Sequence, residues 1–203
     1  MKQIAYNRTK RTSKAIYLVI HTTGNTNRGA NADAHFTYWN GGNRGSSADF
    51  VVDSSKALQI NDYTKYYTWH CGDGKGKYGI TNANSIGIEI CINSDGDFNK
   101  AVDNTVKLVK QLMRDLNIPI ENVVRHWDAS RKNCPAQMSE NNWEEWHKFK
   151  KRLQEKIETP EDIISALSKS IEILDKNSAL KAVSEEKKKN SSLYWILYKI
   201  VNK

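Results

Sequence analysis

The 203-residue sequence predicts an α/β fold in which a mixed central β-sheet is flanked by helices, with a small helical appendage at its C-terminal end. Three observations carry that expectation. Short apolar runs of strand length recur, AIYLVIH at 15–21, SIGIEICI at 85–92 and VVR at 123–125, and helix-like stretches separate them. A long amphipathic segment at 99–117 ends just before Pro119. Beyond Thr159-Pro160 glycine disappears, and Ile163, Ile164, Leu167, Ile171 and Leu174 take helical spacing. The boundary is therefore expected at 158/159, leaving 159–203 as the appendage.

Residues 15–20 are almost all apolar, as expected of an interior strand covered on both faces. Residues 22–29 read as loop. Ala32, His35, Phe36 and Trp39 then recur at spacings of three and four, which suits a helix stopped by Gly41-Gly42. SSADFVVDSSKALQI reads as a hairpin with strands at 48–52 and 57–60. An aromatic segment at 63–70 leads into the glycine-rich WHCGDGKGKYG, whose spacing fits neither phosphate-binding pattern. In SIGIEICI, Ile86, Ile88, Ile90 and Ile92 alternate with Gly87, Glu89 and Cys91, so one face is expected to be core and the other to aim the Glu89 carboxylate at a partner or a site. The apolar stripe of 99–117 is Val102, Val106, Val109, Met113 and Leu116. After the strand 123–125 a loop is expected, and then a helix from Asn141 with Trp143, Trp146, Phe149, Lys150 and Leu153 on one side.

Totals narrow the function classes. A net charge of +8 favours a polyanionic partner, either nucleic acid, an acidic membrane face or an anionic wall polymer. No basic stripe with interleaved aromatics points to nucleic acid. Cysteines at 71, 91 and 134 are odd in number and dispersed, which argues against a disulfide framework and for folding in a reducing compartment. The basic N-terminal residues are followed by an apolar run of only about six, too short for a signal peptide core or a membrane span, so synthesis in the cytoplasm is expected. The appendage could pack on itself or on a second copy through 160–203, bind a wall, or lie on a membrane as a basic helix.

The chemistry concentrates in VVRHWDASRKNCP. His126 and Cys134 stand eight apart with no CxxC companion, so a metal there needs a third ligand. His21, at the exit of its strand, can supply it. Two imidazoles and one thiolate suit a single Zn²⁺, and three protein ligands keep a position open for catalysis. Glu89 could act as general base and then acid, and Lys132 could stabilise an oxyanion; the alternatives are a sheet-edge ion pair and a solvated loop charge. His35, Phe50, Trp69 and His70 are the candidate substrate-binding positions, while a fourth ligand from His70 or Cys71 would close the site and make it structural.

YLVIHTT, SSADFVVD, TWHCGDG, SIGIEIC and VVRHWDASRKNCP, in this order and spacing, resemble the zinc-dependent N-acetylmuramoyl-L-alanine amidases of the type 2 amidase and peptidoglycan-recognition superfamily, phage endolysins in particular. The resemblance covers roughly residues 15–153. It implies zinc on His21, His126 and Cys134, roles for Glu89 and Lys132 like those above, and cleavage of the amide between N-acetylmuramic acid and L-alanine in peptidoglycan. A Gram-positive wall, with its anionic teichoic acids, fits the basic charge, and release through a holin pore fits a phage or prophage endolysin. A bacterial autolysin and a non-catalytic peptidoglycan-binding module are the alternatives; retention of Cys134 favours the enzyme. Many relatives carry His-Tyr where this chain has Asp49-Phe50. That departure implies greater reliance on Glu89.

Overall fold

The computed structural model describes residues 2–155, which belong to one compact unit, Met1–Glu155. The expected appendage, including its proposed self-association surface, lies outside the described residues. Strands β1 (Arg8–Lys10) and β2 (Tyr17–Thr22) precede helix α1 (Ala32–Asn40); β3 (Phe50–Val52), β4 (Ala57–Gln59), β5 (Tyr66–Thr68) and β6 (Ser85–Ile90) follow. Helix α2 (Phe98–Leu116), strand β7 (Val123–Arg125) and helices α3 (His126–Ser130) and α4 (Glu140–Gln154) complete the described chain.

The central sheet has the order β4-β3-β6-β2-β7, parallel except for the β3-β4 hairpin, so it is mixed as expected. Leu18, Ile20, Phe50, Val52, Ile86, Ile88 and Ile90 line one face and pack with Val106, Val109 and Leu112 of α2 and Trp146, Phe149 and Leu153 of α4. Each fully buried aliphatic side chain there stabilises the fold by about 1.5–3 kcal/mol. The opposite face is covered too. Val51, Cys91 and residues of α1 form a second cluster, and Val19, Cys71 and Ala129 a third. Glu89 is therefore half-buried on a covered face, with its carboxylate turned toward His21.

Several local expectations are corrected. The stripe of α2 is wider than expected: Val106 and Val109 are buried and Val102, Met113 and Leu116 pack partly buried against the same core, while Ala101, Thr105 and Leu112 join the buried face. Small Ala101 and Thr105 face the sheet, and the Thr105 hydroxyl donates to the Ala101 carbonyl, so it is buried without an unmet polar group. The segment after β7 is a helical turn, not a loop, because the Asp128 carboxylate accepts the Arg125 N–H at 2.8 Å while Arg125 donates to both of its oxygens. Before its regular turns, α4 carries three left-handed residues, Asn141, Asn142 and Trp143. Asn tolerates that conformation; Trp143 is held in it between the Arg125 guanidinium, 4.3 Å from its ring, and Trp127. The antiparallel β1-β5 ribbon, unanticipated in a polar N-terminal segment, runs directly into Trp69 and His70.

Candidate metal centre

Three parallel strands, β6, β2 and β7, end at one edge of the sheet. His21 is registered against Glu89, and Ile20 against Arg125, so the next residue of each of those two strands puts His21 beside His126. This is the edge at which open α/β sheets gather chemistry. The loop leaving α3 returns Cys134 to the same place, tied by the Trp127 N–H to the Cys134 carbonyl at 3.0 Å.

One ligand atom each from His21, His126 and Cys134 falls within a 4.8 Å span, and all three residues are buried. The two Nδ1 atoms are 3.0 Å apart, and Cys134 Sγ lies 3.9 Å from Nδ1 of His21. Asp73 decides the tautomer of His126: its carboxylate can only accept, so Nε2–H of His126 donates to it at 2.7 Å and Nδ1 is left bare. A histidine held this way by a carboxylate is the usual arrangement of a metal ligand.

Electrostatics agree with that use. Burial, reinforced by His126, His70 and Lys132, holds His21 well below its ordinary 6.5, and burial also lowers His126 against the pull of Asp73. Both rings are neutral near pH 7, the form that binds a metal. Burial and the neighbouring Glu89 push the Cys134 thiol up to about 12, although hydrogen bonds from Thr22 oppose the rise. A divalent ion entering this group would displace the thiol proton. Two imidazole nitrogens and one sulfur are borderline-soft donors, the set that suits zinc.

Glu89 stands beside this group with Oε1 4.0 Å from Nδ1 of His21. Its Oε2 is buried without a hydrogen-bond partner, and burial raises its pKa to about 7 although Lys132 pulls the other way. That value suits a group that must both take and return a proton at neutral pH. Lys132 is exposed on the rim of the cleft.

The sequence of this chain matches the family described as N-acetylmuramoyl-L-alanine amidase over residues 11–137. The chain belongs to that family. It is 40% identical over 133 residues to the N-acetylmuramoyl-L-alanine amidase CwlH of Bacillus subtilis strain 168, covering 66% of this chain and 50% of that one. With the amidase XlyA of the same organism it shares 40% identity over 149 residues, 72% of this chain and 46% of that one. The match thus spans about half the length of these curated relatives. The solved catalytic domain of XlyA aligns with a TM-score of 0.65 at 37% identity, covering 75% of this chain and 97% of that domain. The structure of PlyL aligns at 0.62 and 35% identity, covering 72% and 89%.

In this amidase-family chain the group of His21, His126 and Cys134 opens into a cleft of about 530 Å³. His35 and Trp69 line it; Nδ1–H of His35 donates to the Asn31 carbonyl at 2.9 Å, and Nε1–H of Trp69 donates to the Thr9 hydroxyl at 3.0 Å. His70 reaches the cleft wall, but both its ring nitrogens are engaged, by His21 and by Ser85. It meets His21 at Nε2, the side away from Cys134, so it is not a fourth member of the ligand group; Cys71 is also outside that group. Phe50 is the correction: it packs against Tyr63 on the α2 side of the sheet, so neither its ring nor a hydroxyl added there would reach the cleft. Asp73, Thr22 and Ser85 are the contributors that sequence reasoning passed over. The glycines around Asp73 were the available signal, since a Cβ on Gly74 would lie 2.0 Å from the Ala129 carbonyl oxygen, against α3.

Proposed function

We propose that the chain hydrolyses the amide between the lactyl group of N-acetylmuramic acid and L-alanine in peptidoglycan, with one zinc ion held by His21, His126 and Cys134. The observation that carries this reading is the convergence of those three ligand atoms, in an open cleft, beside the Glu89 carboxylate, whose Oε2 has no hydrogen-bond partner. The relatives CwlH and XlyA are N-acetylmuramoyl-L-alanine amidases, which supports it.

Zinc supplies Lewis acidity, which lowers the pKa of water to about 7. The residues of the chain do the rest. Glu89 accepts a proton from the attacking water and returns it to the departing L-alanine nitrogen. Lys132, on the rim, steadies the negative charge that grows on the carbonyl oxygen. His35 and Trp69 border the space where glycan and stem peptide would lie.

Among the described residues no helix is long and apolar enough to cross a membrane. The chain's net charge of +8 would draw it to the anionic polymers of a Gram-positive wall, so lysis should weaken as salt rises; lysis indifferent to ionic strength would remove this part of the proposal. Similarity to a mutant endolysin from Bacillus subtilis, 38% identical with a TM-score of 0.65, supports a lytic role; passage to the wall through a holin pore is part of this proposal.

The test is digestion of purified cell walls with parallel zinc analysis. New L-alanine amino termini, loss of activity on chelation and its return with zinc are expected, and Cys134→Ser should be inactive. New reducing sugars without amino termini, or hydrolysis that survives both chelator and Cys134→Ser, would refute the proposal.

A further inference from the structure

His70 is buried where an outer partner of a metal ligand would stand, yet it is an imidazole, which can donate or accept at either nitrogen. What fixes its direction lies two links away. The Ser85 hydroxyl has one proton, and the Thr81 carbonyl beside it can only accept, so Ser85 donates to Thr81. Its oxygen is then left to accept from His70 Nε2–H at 3.1 Å. With that proton on Nε2, Nδ1 of His70 is bare and accepts from His21 Nε2–H at 3.0 Å. His21 must then present a bare Nδ1 toward Nδ1 of His126 and Sγ of Cys134. Cys71 Sγ, 3.8 Å from the Ser85 oxygen, is a far weaker acceptor than the carbonyl and does not turn the hydroxyl away.

The ring of His70 is also held in place. A Cβ on Gly87 would sit 2.5 Å from its Cγ, so glycine in the middle of β6 makes the room the ring occupies. Asp49 pins that glycine from both sides, donating its own N–H to the Gly87 carbonyl and accepting the Gly87 N–H at 2.8 Å.

We propose that Thr81, Ser85 and His70 form a one-way hydrogen-bond chain that locks His21 in the tautomer offering Nδ1 to the metal, making His70 and Ser85 positioning residues. The inference rests on the zinc reading above. Asp73 does the same for His126 with a carboxylate, so the two histidines are set by unlike devices that converge on one point. With both Nδ1 atoms bare, no proton lies between two nitrogens 3.0 Å apart, an arrangement relieved by a cation that both can bind.

The experiment uses the full chain labelled with ¹⁵N-histidine. Long-range ¹H–¹⁵N correlation of the zinc-free protein near pH 7.5 should show His21 and His70 each protonated at Nε2 alone. Protonation of His21 at Nδ1 would overturn the chain. In Ser85→Ala, His70 loses its fixed acceptor, and His21 should divide between tautomers. Zinc affinity, read by competition with a chromogenic chelator, should fall about 10–100-fold in Ser85→Ala and in His70→Phe. Variants that bind zinc as tightly as wild type, with His21 unchanged, would overturn this inference while leaving the proposed hydrolysis standing. A wild-type chain that binds no zinc would overturn both.

Discussion

Glu89 Oε1 lies 4.0 Å from His21 Nδ1, in a pair that β6 and β2 place in register. Folding raises the Glu89 pKa from its ordinary 4.5 to about 7, so the folded state holds a proton that the unfolded chain releases between those values. Its contribution to stability is intact below about pH 4.5 and is lost as pH climbs through 7. In zinc-free protein, Glu89→Gln should therefore be more stable than wild type at pH 8 and equal to it near pH 4. The gain is at most about 3 kcal/mol, since one pH unit is worth about 1.36 kcal/mol and the side chain keeps 15% exposure. Urea unfolding at the two pH values measures it. The same variant should lose wall hydrolysis by at least about 100-fold while still binding zinc.

Asp73→Asn keeps an acceptor near His126 but removes the charge, and its amide can turn a donor toward the ring. Zinc affinity should fall about 10-fold or more with the fold intact. Unchanged affinity in a chelator competition would show that the carboxylate does not hold the ring.

Gly87→Ala and Gly74→Ala probe two close approaches. Gly87 opposes a buried ring and Gly74 opposes backbone, the Ala129 carbonyl. Overpacking at Gly87 should cost about 1–3 kcal/mol, and Gly74→Ala should cost more because a backbone cannot rotate aside. Thermal denaturation of the two variants side by side checks the order.

Arg125→Lys should destabilise by about 1–2 kcal/mol although it keeps the charge. The guanidinium makes a two-pronged contact with Asp128 and stacks over Trp127 at 4.9 Å and Trp143 at 4.3 Å, and an ammonium cannot do both. Near-ultraviolet circular dichroism should register the loosened tryptophans.

Much of this architecture is written locally. Leu18, Ile20, Ile86, Ile88 and Ile90 announce strands by apolar runs, and α2 announces itself by its period and by Pro119 just beyond its end, whereas its cap, Asp97 accepting the Lys100 N–H, emerges only from the structure. The strand exits carrying His21, Glu89 and His126 follow once those strands are parallel neighbours. What could not be read depends on distant contacts. Phe50 lies in a three-residue strand buried on both faces, where alternation does not reveal which side meets α2. Asp73 touches His126 across 53 positions, and the role of Ser85 exists only because Thr81 and His70 lie on either side of its hydroxyl. The β1 strand is three polar residues whose pairing is decided by β5.

The two sides of the central sheet carry different duties. Leu18, Phe50 and Ile88 turn toward α2 and α4, whereas Gly87 and Glu89 turn toward the cleft. Heat tolerance can therefore be bred into the first set by refilling its volume while the reactive side stays untouched, which gives protein engineers a margin that sites shared between packing and chemistry do not offer.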